Sequence, residues 1–298
     1  MSGEKPYLTA LASMPTYYID HPTLQTTPLI FASPHSGRDY PPDFVANSQL
    51  DPVSLRRSED AFVDNLFAAA PSKGAPLIRA TFPRAFIDAN REPFELDQNM
   101  FSDRLPDYVN IKSGRVAAGL GTIPRIVSGG QEIYSEKLTF SEAAARIEAY
   151  YKPYHTALTE LIDKVRKQFD YCVLVDCHSM PSIGSQLDPD AGHGRADFVI
   201  GDCFGTTCAP YISDAIENTI AGFGYIVARN KPFAGGFTTR SYGKPQDGIH
   251  AVQIEINRAL YMNERQIEKS TGFNHVAVQM TDVISTLTDL TTPDLAAE

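Results

Sequence analysis

The chain is 298 residues long, enough for one large α/β domain or two small ones with a well-buried core. At 43% hydrophobic and 21% charged residues it has the composition of a soluble globular protein, and its net charge of −10 argues against nucleic acid or an anionic membrane as partner. A small acidic substrate remains compatible with that charge if a few arginines are concentrated in a pocket.

The opening "MSGEKPYLTA" has neither the apolar core nor the basic start of a secretory signal, and no apolar run approaches the ~20 residues that span a bilayer. The expectation is a cytoplasmic protein. Cys172, Cys177, Cys203 and Cys208 form two C-x4-C pairs, a spacing within the range of four-thiolate zinc sites. Cys172, however, lies in the apolar run "YCVLVD", so free, buried thiols in a reducing compartment are the favoured reading.

In chain order, residues 28–33 "PLIFAS" read as a strand that breaks into the polar turn "PHSGRD". Residues 52–70 place Leu55, Phe62, Val63, Leu66 and Phe67 on one helical stripe ended by Pro71. Strands follow at 76–80 "PLIRA" and 84–88 "RAFID", then an irregular stretch, 92–136, expected to cover a site or pad an edge. Residues 140–169 form a long helical segment, with Thr139 and Glu142 as a capping box and Pro153 as a kink. Strands at 171–176, 197–201, 224–228 and 250–256 alternate with helices at 207–221 and 263–288, and the tail, 291–298, reads as frayed. The pattern predicts a single α/β domain over 1–298, core about 28–290, built on a mixed, mostly parallel central sheet with helices on both faces.

Four polar clusters follow or lie within these strands: His35; Arg84, Asp88, Asn90 and Arg91; Asp176 and His178; and Glu255. In an open α/β sheet the carboxyl ends of parallel strands line one crevice, so these groups should converge. Of the seven histidines, only His35 and His178 share the strand-then-turn setting. His21, His155 and His275 read as surface or satisfied core residues, His250 as structural, and His193 sits in a Gly-rich loop suited to a lid. A catalytic zinc site needs three protein ligands and an open position for water. "RRSEDAF" offers Glu59 and Asp60 as the third, and spacing alone does not choose between them. In "AVQIEI", alternation puts Gln253 and Glu255 opposite Val252, Ile254 and Ile256. A carboxylate in an interior strand is costly unless paired with a core arginine or used as a general base. Arg91 and Arg240 are guanidinium forks next to turns, suited to carboxylates.

The ordered set "SPHSG", "FIDANR", "VDCHS", "ADFVIG", "FAGGFTTRSYG" and "IHAVQIEI" resembles the N-formylglutamate amidohydrolase family from about residue 28 to 262. The resemblance implies a fold related to zinc carboxypeptidases and aspartoacylases, and one catalytic zinc (or cobalt, or another divalent ion). It implies His35 and His178 as ligands, with Asp60 as the third and Glu59 as its alternative. Arg38 stands where the carboxypeptidases keep their acidic ligand, a departure from their pattern. Glu255 matches the general base, Arg84 the group that polarises the scissile carbonyl, Asn90 and Arg91 a substrate-binding pair, and Arg240 a grip on a substrate carboxylate. The implied reaction is hydrolysis of N-formyl-L-glutamate to formate and L-glutamate. The alternatives are a zinc-dependent deacylase or peptidase for another N-acyl amino acid or small peptide, and a binding protein that kept the fold without the chemistry.

Overall fold

A computed structural model describes residues 15–186 and 188–291. The last seven residues, most of the stretch read as a frayed tail, lie outside them. Seven strands form the main sheet in the order β1-β3-β2-β4-β7-β5-β6. They are β1 (Tyr17–Asp20), β2 (Leu29–Ser33), β3 (Leu77–Ala80), β4 (Cys172–Met180), β5 (Phe198–Gly201), β6 (Val227–Arg229) and β7 (Ile249–Asn257). Only β1 with β3 and β5 with β7 are antiparallel; the other four pairings are parallel. A two-stranded ribbon, β8 (Met262–Asn263) and β9 (Glu268–Lys269), stands apart.

Alternation along the strands sorts the core into two layers. Ile30, Ala32, Ile78, Leu174 and Ala251 face one side. There they meet Tyr154, Leu158, Leu161, Ile162 and Val165, the i, i+3, i+4 stripe of a helix over Lys152–Phe169. Leu29, Phe31, Val173, Val175, Val252 and Ile254 face the other side, against helices over Pro210–Gly222 and Phe273–Thr291. Cys172 and Cys177, five positions apart on one strand, therefore fall in opposite layers. The four cysteines are free, and among the described residues they form no metal-binding group. Burial raises the thiols of Cys172 and Cys208 to about 12 and that of Cys177 well above its ordinary value, as expected of inert core thiols. No helix among the described residues is long and apolar enough to cross a membrane.

Three local expectations are corrected. Residues 84–88 are not a strand: Pro83 accepts hydrogen bonds from the backbone N–H of Phe86 and Ile87, closing a turn that still buries both side chains. Residues 52–70 are not one helix but turns of Pro52–Leu55, Arg56–Ser58 and Val63–Leu66, with Glu59 extended and Phe62 left-handed at φ 66°. The C-terminal helix begins at Phe273 because 262–269 is taken by the ribbon. The long helical segment does start with the Thr139–Glu142 capping box. Its irregularity takes the form of a π turn, Ile147–Tyr151, just before Pro153, whose missing N–H breaks the regular ladder.

Candidate active site

His35 follows directly on β2. Its turn is fixed by Gly37, where a Cβ would fall 2.1 Å from the Phe82 carbonyl oxygen, so only glycine allows the 81–82 segment to pass this closely. The His35 carbonyl accepts from the Asp60 N–H at 3.0 Å. This bond explains why 52–70 breaks: the chain leaves helical geometry at Glu59 to lay Asp60 against the end of β2. His178 and Glu255 are aligned partners on the parallel strands β4 and β7.

One carboxylate oxygen, Asp60 Oδ2, lies 3.2 Å from His35 Nδ1 and 3.0 Å from His178 Nδ1. The donor atoms of the three side chains all lie within 4.8 Å of one another, and all three residues are buried. Tetrahedral ligands with ~2.0–2.1 Å bonds sit about 3.3 Å apart, so the spacing suits a small divalent ion. The second nitrogens point the same way. His35 Nε2 is 2.7 Å from Asp88 Oδ1. His178 Nε2 is 2.9 Å from Asp176 Oδ1, a buried oxygen too far off line for a hydrogen bond and otherwise without a partner among the described residues. A histidine that ligates through Nδ1 carries its proton on Nε2; Asp88 Oδ1 is placed to receive that of His35, and Asp176 lies close beside that of His178. The donor set thus fits a metal ion.

Asp60 is also braced by Arg258, whose Nη2 donates to Oδ1 at 2.9 Å while Nε donates to Ser179 Oγ and Nη1 to the Arg57 carbonyl. Burial would raise the Asp60 carboxyl, but His178, His35 and Arg258 outweigh it and hold it well below the usual range. Burial would lower His178, and Asp176, Asp60 and Glu255 outweigh it upward. Asp88, in contact with Arg84 at 3.0 Å and Arg91 at 3.4 Å, is also held low against the effect of burial. Glu59 faces elsewhere, taken by Tyr40 at 2.6 Å and by both nitrogens of an Arg56 fork, so Asp60 is the carboxylate brought to the histidines. Arg38 pairs with Asp64 at 3.3 Å instead of approaching them.

Glu255 is 8% exposed, and burial, reinforced by Asp60, pushes its carboxyl up to about 7 despite His178. Gln253, its neighbour on the same strand face, donates to Glu255 Oε1 at 2.8 Å and accepts from the Gly236 N–H at 2.8 Å. These groups open on a cavity of about 160 Å³ lined also by Arg84, Arg91, Arg115, Arg195 and Arg258. Cavities of ~150 Å³ hold molecules of benzene's size, so this one suits a small molecule rather than a polypeptide. Leu120, Pro124, Ile126, Val127 and Ser128 form one wall, so the irregular 92–136 stretch does cover the site. Ser185, Asp188 and Arg195 of the Gly-rich loop form another, while His193 does not line the cavity.

Several expected substrate contacts are spent inside the protein. Asn90 accepts from the Thr238 N–H at 2.7 Å and sets its Nδ2 3.1 Å from His178 Nε2. Arg91 donates to the Leu120 and Asn90 carbonyls at 2.8 and 2.6 Å. Arg240 is exposed, donates to the Gly235 carbonyl at 2.9 Å and is not part of the cavity lining, so its placement does not match a carboxylate grip. Sequence reasoning missed the supporting roles of Asp88, Asp176, Gln253 and Arg258. The first two were visible as charges inside the polar clusters, and Gln253 as the same-face neighbour of Glu255.

The parallel sheet with its chemistry at the strand ends, a buried His–Asp–His group and a raised carboxyl beside it define an α/β protein equipped for hydrolysis of a small polar molecule. The family model described as N-formylglutamate amidohydrolase matches residues 27–262, and the chain belongs to that family. It is 30% identical over 243 residues to the N-formylglutamate deformylase of Pseudomonas putida, covering 80% of this chain and 83% of that protein. The deformylase of Pseudomonas aeruginosa is 29% identical over 242 residues. The crystal structure of N-formylglutamate amidohydrolase from Ralstonia eutropha JMP134 superposes with a TM-score of 0.86 at 35% identity, over 93% of this chain and 99% of that one.

Proposed function

We propose that the protein is a metal-dependent amidohydrolase that converts N-formyl-L-glutamate to formate and L-glutamate. The observation that carries this reading is the shared carboxylate oxygen of Asp60 between two Nδ1 atoms, with Glu255 beside His178 on the next strand. The names of the similar proteins supply the substrate.

In this reading His35, Asp60 and His178 hold the ion. When bound, a divalent metal such as zinc supplies Lewis acidity and lowers the pKa of water to about 7. Glu255 takes a proton from the attacking water through the oxygen not held by Gln253, then returns it to the leaving amine nitrogen. A carboxyl raised to about 7 suits both transfers near neutral pH. Arg84 uses only Nε on Asp88, which leaves its terminal nitrogens to face the developing charge on the formyl oxygen. Asn90 and Arg91 act as braces: Asn90 donates to Asp176 Oδ2, the carboxylate beside the His178 ring, and Arg91 ties the wall at Leu120 to the site.

The test is formate release from a panel of N-acyl amino acids, before and after chelation and with zinc or cobalt restored. N-Formyl-L-glutamate is the expected best substrate, chelation should abolish turnover, and His178→Ala should lose bound metal by elemental analysis. Undiminished turnover after chelation would overturn the metal, and preference for another acyl amino acid would overturn the substrate.

A further inference from the structure

Five arginines line the cavity, and four of them already have a carboxylate partner. Arg84 and Arg91 share Asp88, Arg195 is clasped by Asp188 and Asp190 at 2.7 and 2.8 Å, and Arg258 holds Asp60. Among the described residues Arg115 alone of the five has neither an ion pair nor a side-chain hydrogen bond. We infer that Arg115 is the group that recognises the side-chain carboxylate of the substrate, and so sets the preference for an acidic amino acid over a neutral one. The inference rests on the proposed deformylase reading.

Two features of its setting support this. The backbone beneath Arg115 is held firmly although its side chain is free. Ser113 caps the short turn Gly114–Ala117 by accepting from the Val116 N–H at 3.0 Å, and its hydroxyl donates to the buried Glu95. The Arg115 carbonyl accepts from the Leu120 N–H at 2.8 Å, and the Leu120 carbonyl accepts from Arg91 Nε at 2.8 Å. A pinned backbone under a free guanidinium fork is a pre-organised carboxylate receptor. Position also distinguishes the two ends of the substrate. His35, Asp60, His178 and Glu255 are at most 8% exposed, whereas Arg115 is exposed and sits on the rim of the same cavity. A molecule whose formyl group reaches the buried end leaves the far end of its side chain at that rim, where charge of opposite sign is otherwise unpaired.

The experiment compares N-formyl-L-glutamate with its neutral isostere N-formyl-L-glutamine in the wild type, Arg115→Ala and Arg115→Lys. A charge-assisted hydrogen bond lost at the rim should lower kcat/KM for the acid about 10- to 100-fold, mainly through KM, and for the amide less than about 2-fold, with Lys restoring part of the difference. Equal effects on both substrates overturn the inference. In parallel, L-glutamate and L-glutamine are titrated calorimetrically into the metal-loaded wild type and Arg115→Ala. Glutamate binding weakened selectively supports the assignment; glutamate binding that is absent from the wild type, or unchanged in the variant, overturns it. The calorimetry decides Arg115 even if the wild type fails to turn over formylglutamate, an outcome that would strike the proposed function instead.

Discussion

Arg258→Met tests how far Asp60, the carboxylate proposed to hold the metal, depends on its cationic brace. Methionine keeps much of the apolar stem and removes the charge, separating packing from electrostatics. The guanidinium is 7% exposed and Asp60 1%, so solvent cannot replace the lost partner. Breaking a buried pair from one side costs about 3–5 kcal/mol, since Asp60 Oδ1 is left without its donor at 2.9 Å. In a chain of this size that should lower Tm by on the order of 10 °C. A divalent ion on the same carboxylate returns positive charge to it, so the penalty should shrink to less than half in saturating zinc. The assay is a pair of thermal melts, chelated and zinc-loaded, for wild type and variant. A Tm loss of equal size in both conditions, or none in either, would refute the view that Arg258 and the metal answer to one charge.

Glu255→Gln should reduce kcat by about 10²–10⁴-fold while metal content by elemental analysis stays at the wild-type level; retained turnover would remove Glu255 as the proton carrier. Gly236→Ala would set a Cβ 2.2 Å from Asn90 Nδ2, displacing the side chain that donates to Asp176 beside His178. Weaker metal binding in a chelator competition and at least roughly 10-fold lower kcat are expected, and wild-type values for both would show that Asn90 is dispensable. His155, the helix residue that joins the Ala89 carbonyl to the Tyr242 hydroxyl at 2.8 Å each, is lowered by burial to about 4. Below the ordinary value of 6.5 the unfolded chain takes a proton that the folded one refuses, so stability falls as pH drops from 6.5 toward 4, by up to about 3 kcal/mol. Denaturation midpoints at pH 7.5 and 4.5 should show this loss in the wild type and a smaller one in His155→Gln; equal slopes would contradict it.

The central strands were legible because β2, β4 and β7 are apolar runs ending in turn residues, and parallel strands so ended bring their polar tails together. His35 follows β2, whereas His178, expected in a turn after residue 176, lies within β4, and Glu255 within β7, each near the carboxyl end of its strand. Local pattern misled where tertiary contacts overrode it. "RAFID" has strand composition, yet Pro83 folds it into a turn, and the 52–70 stripe has helical period, yet the bond from Asp60 to the His35 carbonyl pulls it open. The choice between Glu59 and Asp60 depended on that break, since only an extended Glu59 sends the two side chains to different partners. Arg115 carried no signal in the sequence for a different reason: it lies in the irregular 92–136 stretch, and only the folded wall brings it to the cavity while Arg240 stays outside the lining.

The two histidines on either side of Asp60 Oδ2 come from chain segments that meet only when β4 has docked beside β2. A nascent chain that has not yet made β4 holds His35 and Asp60 but no complete set of donors. The folding transition state therefore has little to offer an ion until its most non-local pairings are in place. An ion held as proposed would act after the barrier: it should leave the rate of folding almost untouched and slow the rate of unfolding, giving the protein a longer lifetime rather than a faster birth.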